Sequence, residues 1–103
     1  MKVYLDDERQ TPTGWVRTYT SQETIELLRT GRVIELSLDH DLGSTKDNGY
    51  EVILWIEEHV HHYGFEPPVN IVIHSANSSA AQKMVAGVAA INRMAAENKR
   101  NKK

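Results

Sequence analysis

The chain contains no cysteine. That absence excludes disulfides, iron–sulfur clusters, thiolate zinc sites and a cysteine nucleophile together, and it accords with a reducing compartment. Long apolar runs are missing too. None approaches the roughly 20 residues a membrane-spanning helix needs, and the start, Met1-Lys2-Val3-Tyr4-Leu5-Asp6-Asp7, lacks the apolar stretch of a signal peptide. A soluble, cytoplasmic protein with no membrane partner is the expectation. Proline is scarce at three residues and glycine modest at six, while hydrophobic residues reach 40%, which excludes disordered and collagen-like chains. At 103 residues there is chain for one domain and a core that needs no covalent staple.

Basic residues are few outside the C-terminal end. Residues 97–103 carry four positive charges against one negative, which leaves 8 basic and 13 acidic side chains on the rest of the chain. An acidic body is a poor general nucleic-acid binder, because that affinity comes mainly from neutralising phosphates. Residues 1–96 therefore read as an α/β domain and 97–103 as a basic, solvated C-terminal tail, with transient phosphate contact as its secondary use.

Hydrophobic periodicity predicts alternating strands and helices. Lys2 to Leu5 reads as a strand, residues 10–14 as loop, and Trp15 to Tyr19 as a second strand with its aromatics in the core or covering an edge. Thr20 and Glu23 have the capping-box spacing for a helix that buries Ile25 and Leu28 and stops at Gly31. Val33 to Leu38 reads as a strand covered on both faces. Asn48 with Glu51 repeats the capping spacing and opens a helix striped by Val52, Ile53, Trp55, Ile56 and Val60 and ended by Gly64. Val69 to Ile73 is the most hydrophobic strand. A last helix starts at Ser78, runs to Asn92 or beyond, carries Met84, Val85, Val88, Ile91 and Ala95 on one side, and has Gly87 in its middle. The order β-loop-β-α-β-α-β-α implies parallel strands with right-handed helical crossovers.

Three apolar strands end abruptly in polar clusters: Asp6-Asp7-Glu8-Arg9, Asp39-His40-Asp41 and His74-Ser75-Ala76-Asn77. Carboxyl ends of parallel strands lie along one edge, where open α/β sheets bind ligands, so the three clusters converge. Up to four carboxylates (Asp6, Asp7, Asp39, Asp41) at one edge repel one another, and a hard divalent cation relieves this, Mg²⁺ first. Plainer readings exist for each. Asp6 and Asp7 can cap a turn, Asp41 can cap the loop after it, and Ser75 and Asn77 can cap the last helix rather than cradle a phosphate. Arg9 can clamp a phosphate or pair with Glu8. His40 and His74 can be structural or can move protons near neutral pH. His59, His61 and His62, beside Glu57 and Glu58, read as a solvated helix end, although positions 58 and 62 share a face.

The blocks Leu5-Asp6-Asp7-Glu8-Arg9, Ser37-Leu38-Asp39-His40-Asp41-Leu42-Gly43, Asn48-Gly49-Tyr50-Glu51-Val52 and Ile73-His74-Ser75-Ala76-Asn77, in this order, closely resemble the cyclic-phosphate processing receiver domain family, a compact variant of the response-regulator receiver fold. The resemblance reaches to about residue 95. It implies a three-layer, flavodoxin- or receiver-like parallel four-stranded sheet of order 2-1-3-4 with three helices, a first helix reduced to a loop, and no fifth strand. It matches Asp6 and Asp7 to the receiver's acidic pair, Asp39 to the phospho-accepting aspartate and Ser75 to the hydroxyl residue after the fourth strand. The receiver's fifth-strand lysine has no counterpart; Lys83, inside the last helix, is the nearest in sequence, which argues against a stable aspartyl phosphate.

The family name records a proposed activity, phosphoesterase work on cyclic phosphates of nucleotide or RNA-end type. On that reading Asp6, Asp7 and Asp39 hold Mg²⁺ or Mn²⁺. Asp39, His40 and His74 are catalytic, with the histidines moving protons. Arg9, Ser75 and Asn77 hold phosphate oxygens, and the partner is a small phosphorylated ligand or a nucleic-acid end. The alternative is a non-enzymatic signalling or phosphoryl-ligand-binding module that uses the Asp39 pocket.

Overall fold

A computed structural model describes residues 1–6, 10–39, 49–74 and 78–101. Four short strands, β1 (Lys2–Leu5), β2 (Val16–Thr18), β3 (Glu35–Leu38) and β4 (Asn70–Ile73), alternate with three helices, α1 (Ser21–Leu28), α2 (Tyr50–Tyr63) and α3 (Ser78–Asn101). All strand pairs are parallel and the order is β2-β1-β3-β4, the receiver-like sheet that the resemblance implies. No helix among the described residues is long and apolar enough to cross a membrane.

Local sequence accounts for most element ends. The Thr20 hydroxyl accepts from the Glu23 amide at 3.1 Å, and the Glu23 carboxylate reaches back to the Tyr19 amide at 2.9 Å, which satisfies two donors that open α1. Gly64 ends α2 at φ 65°, in the left-handed region that glycine enters without steric cost. One cap differs from expectation: the position before α2 is Gly49, with no side-chain cap, and Asn48 lies outside the described residues.

Handedness decides which face the helices cover. A right-handed crossover that moves sideways in one direction lies on one face of the sheet, and one that moves the other way lies on the opposite face. The step from β1 to β2 goes one way; the steps from β2 over β1 to β3, and from β3 to β4, go the other. Helices α1 and α2 therefore share a face, and α3 joins them. Val3, Leu5, Leu36 and Leu38 form one fully buried cluster with Leu28 of α1, Val52, Ile53, Ile56 and Val60 of α2, and Met84 and Ile91 of α3. Among the described residues the crossover from β1 to β2, residues 10–15, holds no helix, and no described helix packs on the second face.

Strand alternation puts Lys2 and Tyr4, Arg17, Glu35 and Ser37, and Asn70 and Val72 on this second face. So β3 is covered by helices on one side only, and Ser37 on the other side is buried by neighbouring side chains. Tyr19 is exposed rather than packed in the core, with the Arg17 guanidinium 4.9 Å above its ring. Val85 also departs from the expected stripe. It is exposed, because a helix position one residue from Met84 is turned by about 100° from the face that Met84 and Ile91 bury.

Helix α3 continues to Asn101, so residues 97–101 extend it, and Asn98 donates to the Val60 carbonyl oxygen at 3.0 Å. Gly87, a cost to the helix by propensity, is needed by packing: a Cβ there would overlap Cγ2 of the fully buried Ile53, where α2 and α3 cross. Gly87→Ala should therefore lose more by overpacking, about 1–3 kcal/mol, than the roughly 1 kcal/mol that helix propensity returns. In urea unfolding the variant melts below the wild type; a variant more stable than the wild type would disprove the close crossing.

Candidate functional site

In-register pairs in a parallel sheet lie side by side, so the residues that follow them do too. Leu5 and Leu38 pair, as do Leu38 and Ile73. Asp6, Asp39 and His74 are the next residue of β1, β3 and β4. The Asp39 amide donates to the Leu5 carbonyl oxygen at 3.0 Å and the His74 amide to the Leu38 carbonyl oxygen at 2.9 Å, which carries the ladder one residue past the strands. By alternation all three side chains belong to the second face, one row above Tyr4, Ser37 and Val72. Each offers a ligand atom within 4.8 Å of the others.

The geometry around His74 is tightly specified. Its ring lies flat on Tyr4, with centroids 4.4 Å apart and an interplanar angle of 5°. Nε2 is 3.0 Å from Asp6 Oδ2 and Nδ1 is 2.6 Å from Ser37 Oγ. Asp6 is fully buried and the His74 side chain is 12% exposed. A buried carboxylate needs compensating partners. The Asp6 carboxylate has one in His74, and the Asp6 backbone carbonyl oxygen accepts from the Arg17 Nε–H at 2.9 Å. The Asp6 amide donates to the Thr18 carbonyl oxygen at 3.2 Å, so β2 helps to fix the residue.

Helix α2 begins against this row. A Cβ on Gly49 would overlap the Asp39 carbonyl oxygen and crowd the Met84 methyl group at 3.1 Å, so this glycine permits close backbone approach. Lys83, the lysine nearest the expected position in sequence, has its ammonium 4.8 Å from the centroid of Tyr50, the first residue of α2.

Of the residues singled out from sequence, Asp6, Asp39 and His74 come together. Asp7, Arg9, His40, Asp41, Ser75 and Asn77 lie outside the described residues. Three neighbours escaped notice: Tyr4, Ser37 and Arg17. Ser37 had a signal, as the polar residue inside the run Leu36-Ser37-Leu38, and the period of two places it below the converging residues. Two carboxylate oxygens and one imidazole nitrogen are a donor set that suits a divalent cation. The histidines of α2 do not join such a group: among the described residues, Asp6, Asp39 and His74 are the one set of three that can converge on an ion.

The family model of the cyclic-phosphate processing receiver domain matches residues 1–90. No curated protein and no solved structure matches the chain.

Replacing Gly49 tests the link between α2 and the site. Gly49→Ala should cost about 1–3 kcal/mol by forcing helix and strand apart and should shift the backbone NMR signals of Asp39 and its strand neighbours. An alanine variant with wild-type stability and unshifted Asp39 signals would contradict the close approach.

Proposed function

The chain belongs to the cyclic-phosphate processing receiver domain family, and from that premise we propose that it is a divalent-metal-dependent phosphoesterase acting on a cyclic phosphate of nucleotide or RNA-end type. The observation that carries this reading is the row of Asp6, Asp39 and His74, two carboxylates and an imidazole within 4.8 Å at the carboxyl ends of three adjacent strands. Asp6 and Asp39 are the anchors for Mg²⁺ or Mn²⁺. Such an ion, when bound, would neutralise charge on phosphoryl oxygens and orient water.

The protein's own groups do the rest. His74 holds the Asp6 carboxylate and Arg17 its backbone carbonyl oxygen, so the carboxylate is held in place before any ligand arrives, as electrostatic catalysis requires. Both His74 nitrogens are engaged, by Asp6 and Ser37, and proton transfer to the ligand falls to His40. Arg9, Ser75 and Asn77 hold the remaining phosphate oxygens. The aromatic and cationic side chains on the sheet face beside the row support a ligand with an aromatic base. Trp15 meets the Tyr4 ring edge-on at 6.2 Å, with the Lys2 ammonium 5.8 Å from the Trp15 ring, a mixture of ring faces and cation that suits stacked bases.

Divalent cations should raise the melting temperature of the wild type and leave Asp6→Ala unmoved, since a ligand that prefers the folded state stabilises it by mass action, by about 2.7 kcal/mol at a hundredfold excess over Kd. Asp39→Asn should keep the fold and abolish hydrolysis of 2′,3′-cyclic nucleotides or RNA-end cyclic phosphates. Cation binding without turnover of these substrates, together with a lasting mass increase of about 80 dalton, one phosphoryl group, after acetyl phosphate treatment, would overturn the enzyme reading in favour of a phospho-accepting module.

A further inference from the structure

The imidazole of His74 is held at three points, by Asp6, Ser37 and Tyr4, more firmly than a residue that merely fills space beside a carboxylate would need to be. An ionised carboxylate can only accept a hydrogen bond. In the neutral ring the 3.0 Å contact to Asp6 Oδ2 therefore places the proton on Nε2, leaves a lone pair on Nδ1, and makes Ser37 Oγ–H the donor across 2.6 Å, whereas in the imidazolium both nitrogens donate and Ser37 accepts. A serine hydroxyl is not restricted to that role, because it accepts as readily as it donates. If the ring proton sat on Nδ1 instead, Ser37 would accept it and no hydrogen bond there would be lost. The Nε2 lone pair would then face the oxygens of Asp6 and Asp39, which is repulsive unless a cation lies between them.

We propose that His74 is the third ligand of the cation held by Asp6 and Asp39, with Ser37 as its positioning residue, so that the site favours an ion that accepts imidazole nitrogen, Mn²⁺ or Zn²⁺, over Mg²⁺. This rests on the reading of the row as a cation site. On binding, the Nε2 proton leaves to solvent, a proton from solvent is taken up at Nδ1, and the Nε2 lone pair goes to the ion, with no net proton change on the ring. Mg²⁺ prefers oxygen ligands and gives up its waters reluctantly, whereas imidazole suits the transition ions. An imidazole ligand is ordinarily steered by a hydrogen bond at its other nitrogen, which is the place Ser37 occupies.

The test is ¹⁵N NMR of the full chain, with the His74 signals identified by their loss in His74→Gln. Without a cation, Nε2 should be protonated and Nδ1 bare. Zn²⁺ should reverse this, with Nε2 bound to metal and Nδ1 protonated, and Mg²⁺ should leave the His74 signals in their cation-free form. By calorimetry, Ser37→Ala should weaken Mn²⁺ binding about 10- to 100-fold without changing Mg²⁺ affinity, and Ser37→Thr, which keeps the hydroxyl, should restore Mn²⁺ binding. A His74 that keeps its Nε2 proton at saturating Zn²⁺, or a Ser37→Ala variant that weakens both ions equally, overturns the proposal while leaving a site on the two aspartates. Absence of any cation binding sinks that underlying reading as well.

Discussion

Burying a carboxylate without partners is among the costliest things a small domain can do, and at the end of β1 Asp6 has no solvent exposure at all. The surrounding structure answers that cost. His74 comes from the far edge of the sheet to meet its oxygen, Arg17 ties its carbonyl group, and Thr18 on β2 holds its amide. His74 meets the carboxylate itself, and Arg17 and Thr18 hold the backbone that carries it, so the three strands that supply them are coupled through one residue. The same arrangement keeps Asp6 beside Asp39, where mutual repulsion makes a positive ion welcome.

That this happens on the face opposite the described helices follows from topology. Because successive crossovers from β2 onward travel in one direction, right-handedness sends α1 and α2 to one side, and α3 packs against α2 there. The apolar residues of the strands gather there with the helices. On the opposite side Tyr4, Ser37 and Val72 lie beneath the polar row, and His74 folds down over two of them, which is why a serine within an apolar strand ends up buried.

Much of this is legible in the residues. Each of β1, β3 and β4 is an apolar run cut off by Asp or His, and knowing only that the strands are parallel brings Asp6, Asp39 and His74 to one edge. The Thr20–Glu23 cap and the glycine that ends α2 are local signals, and the structure bears them out. What escaped notice depends on partners distant in sequence. Gly49 and Gly87 look like breaks or weak points until the carbonyl oxygen of Asp39 and the methyl group of Ile53 are seen against them. Tyr19 reads as core or edge cover and Val85 as part of the apolar stripe of α3, yet nothing in the local pattern reports that β2 is an edge strand or that the α3 stripe is narrow. Ser37 stands between these cases, since its place in the row was readable from alternation but its bond to a histidine 37 residues away was not.

Paramagnetic broadening by Mn²⁺, added below stoichiometry to ¹⁵N-labelled protein, decides whether Asp6, Asp39 and His74 form one cation pocket. If they do, the backbone signals of residues 6, 39 and 74 fade together and first, while those of Glu58, His61 and His62 on α2 persist. Fading that begins on α2, or that reaches one of the three strand ends without the other two, would contradict it.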